Sequence, residues 1–111
     1  MFIVRAFLSL VLIASPAFAQ AAGDSVFARA ERFVREGDGA RGRALVDSVL
    51  EASPAGSPLL ADALYWRAAL ASSTADAERD FRRIVVEFAT HPRAEGAMLR
   101  LAQLEFARGD R

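Results

Sequence analysis

A hydrolytic centre needs a nucleophile, a base within reach of it and an acid to orient the base. The sequence offers a single imidazole, His91, and it stands directly before Pro92 in a segment that reads as a turn. Its expected role is therefore a loop or capping residue, not a general base. Carboxylates occur in pairs, Glu31 with Glu36 and Asp76 with Asp80, but at helical surface spacing and beside Arg29, Arg32, Arg79 and Arg83. They read as solvated ion pairs, each worth roughly a few tenths of a kcal/mol. Gly37-Asp38-Gly39 lacks the lysine and the strand-to-helix context of a phosphate loop. With no cysteine in the chain, thiolate metal sites and stapling disulfides are excluded. The residues point away from catalysis: no enzyme activity, cofactor or metal is expected.

What the remaining residues must position is therefore a surface. The chain has 111 residues, enough for one domain. Fourteen basic residues balance fourteen acidic ones with the signs interspersed, which removes the electrostatic case for nucleic acid. Membrane-surface binding would need one strongly basic helix face, and the charges here are mixed. Every basic residue is arginine, a bias attributed first to GC-rich coding and second to a need for forked donors.

Residues 1–19 have the three parts of a secretory signal. Arg5 supplies the positive leader, Ala6 to Ala14 an unbroken apolar run that Ser15-Pro16 ends, and Ala17-Phe18-Ala19 the small-x-small pattern of a cleavage site. A membrane anchor would need about 20 apolar residues, about twice this run. Cleavage is expected between Ala19 and Gln20, giving a periplasmic or secreted product, residues 20–111, with no stable membrane insertion.

From Asp24 onward apolar residues recur at helical spacing. Val26, Phe27, Ala30, Phe33 and Val34 mark a first helix that Glu36-Gly37-Asp38-Gly39 ends. Asp38 is placed to cap a second, through Ala44, Leu45, Val46, Val49 and Leu50. Ser57-Pro58 is the start signal of a third, with one stripe through Leu60, Leu64, Ala68 and Ala71 and another through Ala63, Trp66 and Leu70. Ser73 with Asp76 resembles a capping box ahead of a fourth, whose stripe is Ala77, Phe81, Ile84, Val85 and Phe88. A fifth runs from Pro92 through Ala97, Leu101 and Leu104 to Arg108-Gly109-Asp110. No segment alternates like a strand, so the class is all-α.

The breaks Glu36-Gly37-Asp38, Ser72-Ser73-Thr74 and Arg108-Gly109-Asp110 lie 36 residues apart, with a helix, a proline-containing turn and another helix between each. A helix pair repeating at about 34 residues is the pattern of a tetratricopeptide array. Ala63-Leu64-Tyr65-Trp66-Arg67-Ala68, Phe81-Arg82-Arg83-Ile84-Val85, His91-Pro92 and Ala97-Met98-Leu99-Arg100-Leu101-Ala102 resemble its exported subgroup. That subgroup is similar to the cell-division coordinator of the Tol-Pal system and to outer-membrane assembly lipoproteins. The likeness runs well over Leu59 to Asp110 and loosely over Val26 to Pro54. It implies a right-handed solenoid of antiparallel helix pairs, about two and a half repeats long. Ala30, Ala68 and Ala102 stand where the family keeps a small residue so that paired helices approach. Pro54 stands at its closing proline, and Gly37-Asp38 and Gly109-Asp110 at its turn. Gly42 replaces a usual alanine, Ser73-Thr74 replaces Gly-Asp, and Pro92 sits a few residues late.

The resemblance implies protein recognition in a concave groove, here lined by Phe27, Glu31, Tyr65, Trp66, Ala69, Leu99, Arg100 and Gln103. Tyr65 and Trp66 would anchor a partner's peptide or helix, although Trp66 reads equally as inter-helix core. The function expected is an exported interaction scaffold in cell-envelope assembly or division. The sequence stops where a further helix should begin, leaving Met98, Leu99, Leu101, Leu104 and Phe106 partly uncovered. That patch is either a surface for self-association through the last helix or the mark of a longer protein, the reading favoured by the usual need for three or more repeats. In the second case this chain is a spacer and docking arm ahead of, for instance, a cell-wall-binding module.

Overall fold

The computed structural model describes residues 16–109, and their side chains from Ser25 onward. Five α-helices account for almost all of it: α1 (Pro16–Arg35), α2 (Gly39–Ala52), α3 (Pro58–Ala69), α4 (Thr74–Glu87) and α5 (Arg93–Arg108). No strand occurs among the described residues. The apolar run of the expected leader, Ala6 to Ala14, lies outside them. Pro16 to Ala19 and Gln20 form the start of α1, which begins eight residues before Asp24, where the periodicity places it.

Each turn is specified locally. Gly37, at φ 89°, closes α1: its N–H reaches the Val34 carbonyl at 3.1 Å and the Asp38 N–H reaches that of Phe33 at 2.8 Å, a Schellman pair that only a left-handed residue permits at low cost. Asp38 then opens α2 by accepting from the Arg41 N–H at 3.3 Å. Ser57 caps α3 through Leu60, with Pro58 in the first turn, and Ser73 caps α4 through Asp76, each at 3.2 Å. The α3–α4 connection, 70–73, is one residue longer than 36–38 and contains no positive φ, which is why Gly-Asp is not needed there. At α5, His91 supplies the acceptor, Nδ1 taking the Arg93 N–H at 3.0 Å.

Connections this short make sequential helices antiparallel neighbours. α3 touches all four other helices, whereas α1 and α5 do not meet. It therefore buries two faces. Leu60, Leu64 and Ala68 join Ala77, Phe81, Ile84, Phe88, Ala94 and Ala97 in one core, while Ala63 joins Phe27, Ala30 and Val46 in the other. Leu101 and Leu104 pack on the first core and are half-buried, so only Met98, Leu99 and Phe106 of the expected uncovered set are exposed.

The small residues need one correction. Ala30 and Ala68 are buried at helix contacts, but Ala102 is exposed; Ala94 and Ala97 carry the close approach of α5. The α1–α2 approach is closer still. A Cβ at Gly42 would fall 2.5 Å from the Ala30 carbonyl oxygen and 2.8 Å from Val34 Cγ2, so glycine replaces alanine there because no side-chain atom fits.

Candidate functional site

Consecutive helical residues diverge by about 100°, so Tyr65 and Trp66 leave α3 on different sides. Trp66 stacks on Phe27 of α1, ring centres 5.9 Å apart and planes 18° off parallel. Tyr65 meets Phe81 of α4 edge to face at 5.5 Å. The Arg93 guanidinium of α5 lies over both rings, 4.8 Å from Tyr65 and 5.9 Å from Trp66, a cation held against two negative faces. Its Nε donates to Asp62 Oδ1 at 3.2 Å. The His91 side chain, 11% exposed, directs Nε2 toward the same oxygen at 3.9 Å. Because its Nδ1 accepts from the Arg93 N–H at the start of α5, this histidine works as a cap. The aromatics the sequence nominated as anchors thus form a seam between the chain's own helices. Phe27, 1% exposed, is wholly core. Trp66 is half-buried, and its Nε1 is buried without an acceptor.

The structure separates the other groove candidates. Glu31 is on α1 and pairs with Arg35 at 3.7 Å, both side chains well exposed. Leu99 is on the outer side of α5, 60% exposed. Ala69, Arg100 and Gln103, in contrast, line one open depression of about 360 Å³ between the end of α3 and the middle of α5. Its floor is Ala68, Ala77, Phe81 and Leu104, and its end is Ser72, Ser73 and Thr74 at the start of α4. Arg100 is exposed, and its guanidinium has no partner among the described residues.

On another side of α3 lies a contact the sequence reading missed. Asp80 is not a solvated carboxylate: it is 1% exposed and accepts from Arg67 twice, at Nε 2.7 Å and Nη2 2.9 Å. Hydrogen bonding to Asp80 raises the Arg67 pKa above its ordinary value, against the opposing effect of burial. The available signal was position, since Asp80 falls on the α4 arc between Ala77 and Ile84 that otherwise carries core. Asp76 does behave as read, pairing with Arg79 at 3.1 Å on the surface, whereas Arg83 pairs with Glu87 at 2.9 Å.

Among the described residues, no group of histidines and carboxylates is placed to hold a metal ion, and no helix is long and apolar enough to cross a membrane. The depression combines small residues, Phe81, hydroxyls and the Arg100 guanidinium, a cation of the kind that pairs with carboxylates. No protein family, curated protein or solved structure matches the chain.

Proposed function

We propose that this chain is an exported interaction scaffold of the tetratricopeptide type, acting in the periplasm or outside the cell, which binds a segment of another protein between α3 and α5. Its helix pairs stack as a short right-handed solenoid, and it works by recognition without chemistry of its own. The observation that carries the reading is the convergence of Ala69, Arg100 and Gln103 on one depression with an unpaired guanidinium at its wall. Helix-pair spacing supports the solenoid: α2 and α4 begin at Gly39 and Thr74, α3 and α5 at Pro58 and Arg93, 35 residues apart in both cases. An envelope process is the setting that the expected leader and the resemblance together suggest.

Panning a random peptide library on the purified chain tests this. Enriched peptides should pair an acidic residue with an apolar one. Their binding should fall by about tenfold or more with Arg100→Glu and with Ala69→Arg, at unchanged helicity. Enrichment of no common sequence, or peptides indifferent to both substitutions, would refute the groove. Mass spectrometry of the exported product should find Gln20 at its amino terminus; retention of residues 1–19 would refute the leader.

A further inference from the structure

α5 turns Ala94, Ala97, Leu101 and Leu104 toward the core and leaves its opposite side uncovered. On that side Leu99 is 60% and Phe106 86% exposed. The two are seven residues apart, two helical turns, so they lie along one line roughly 10 Å from each other. Ala102, small and exposed, lies between them, and Met98, 54% exposed, flanks the line.

We propose that two copies of this chain pair antiparallel through α5, about a twofold axis passing between Ala102 and Gln103. A contact of this kind requires a patch complementary to itself, and this one is. Reversing the helix about that axis seats Leu99 of each copy against Phe106 of the other, while Ala102 at the centre lets the helices approach closely. The formal net charge of +0 leaves no long-range repulsion between copies.

The area sets the strength. A phenylalanine side chain buries about 150–250 Å². At the exposures above, the line and its flanks offer on the order of 400 Å² of apolar surface per copy. The polar rim of Glu95, Gln103 and Glu105 brings the pair toward the roughly 1,200 Å² at which specific interfaces begin. The dimer is therefore reversible and concentration-dependent. Arg100 leaves α5 on the flank facing α3, so pairing leaves the Ala69 and Arg100 side of the depression open, while Gln103 lies at the edge of both surfaces.

Sedimentation equilibrium on the purified exported product, from about 5 to 500 μM, tests the proposal across the range an interface of this size implies. The average mass should climb from monomer toward dimer. Leu99→Arg alone and Phe106→Glu alone should each move the midpoint up by about tenfold or more. Circular dichroism should stay unchanged, because both positions are exposed. Combining them in one chain sets the arginine against the glutamate across the axis twice, and should restore pairing. Within one helix the two positions are too far apart to neutralise each other. A parent chain that stays monomeric throughout, single variants that pair as well as the parent, or a combined variant no better than the singles would each overturn the proposal.

Discussion

Alanine in place of Gly42 should weaken this protein although it improves the helix. In the interior of an exposed helix that exchange favours alanine by about 1 kcal/mol. Here the new methyl would sit 2.5 Å from the Ala30 carbonyl oxygen and 2.8 Å from Val34 Cγ2. The valine can turn aside, but the carbonyl is main chain in the middle of α1 and moves only if the helix moves. Carbon and carbonyl oxygen rest at about 3.3 Å or more, so α1 and α2 must part locally by most of an ångström, loosening Phe27, Ala30 and Val46, which pack in that interface. Overpacking of this kind costs about 1–3 kcal/mol, and because a main-chain carbonyl has to move the upper part of that range, about 2–3 kcal/mol, applies here, so the net loss after the propensity gain is about 1–2 kcal/mol. In a domain of this size that lowers Tm by roughly 5–10 °C. Gly96 is the internal control. A Cβ there meets Tyr65 Cε2 at 3.4 Å, an ordinary contact, so Gly96→Ala should stabilise by up to about 1 kcal/mol. Thermal and urea unfolding followed by circular dichroism read both. A Gly42→Ala chain as stable as the parent would refute the close approach and the pairing of α1 with α2 built on it.

Further outcomes follow from the same contacts. Asp80→Ala strands the Arg67 guanidinium, which is partly exposed and can turn toward Asp47, 3.9 Å away; the expected loss is about 2–3 kcal/mol in urea unfolding, below the about 3–5 kcal/mol of a fully enclosed pair. Replacing both partners, Arg67→Leu with Asp80→Leu, should cost much less than Asp80→Ala alone, and an equal loss would show that the pair itself is strongly stabilising. Ser57→Ala should cost about 1 kcal/mol through the lost α3 cap, whereas Arg83→Ala, which breaks the exposed pair with Glu87, should change the midpoint by less than about 0.5 kcal/mol. Trp66→Phe removes a buried donor that has no acceptor, so its cost should stay under about 1 kcal/mol despite the smaller ring, and a loss above about 3 kcal/mol would mean that the indole N–H is satisfied in solution.

The sequence was most informative where one local interaction decides the outcome. Asp38, Ser57 and Ser73 cap the helices as their types and positions indicate, and α3 shows two apolar stripes because it faces two cores. Position along a helix was less informative. Ala102 fits the small-residue spacing as well as Ala97 does, and only the docking of α5 on α3 and α4 decides which is buried. For the candidate site, Ala69, Arg100 and Gln103 do converge, because they lie on neighbouring helices at matching heights. Phe27 and Trp66 come together instead with each other, since an aromatic on an inner helix face has more to gain from a neighbouring ring than from water. Asp80 was misread because pairing between acidic and basic residues looks alike in sequence whether the partner is three residues away on a surface or thirteen away across a core.

The arginine-only composition looks different once these contacts are considered. Half of the buried apolar residues at the helix interfaces are alanine: Ala30, Ala61, Ala63, Ala68, Ala77, Ala94 and Ala97. Small side chains let helices approach but interlock weakly, so neighbours could slide by a turn at little cost in packing. Three guanidinium–carboxylate pairs oppose that sliding: Arg67 of α3 with Asp80 of α4, Arg93 of α5 with Asp62 of α3, and Arg108 of α5 with Glu78 of α4. Each joins different helices, and the first is bidentate, a geometry that an ammonium group does not reproduce. Arg93 adds stacking on Tyr65 and Trp66. On the open surface lysine would serve as well. Between α3, α4 and α5 the guanidinium is there because its shape fixes a register that alanine leaves loose, and that register brings Ala69, Arg100 and Gln103 to a common depression.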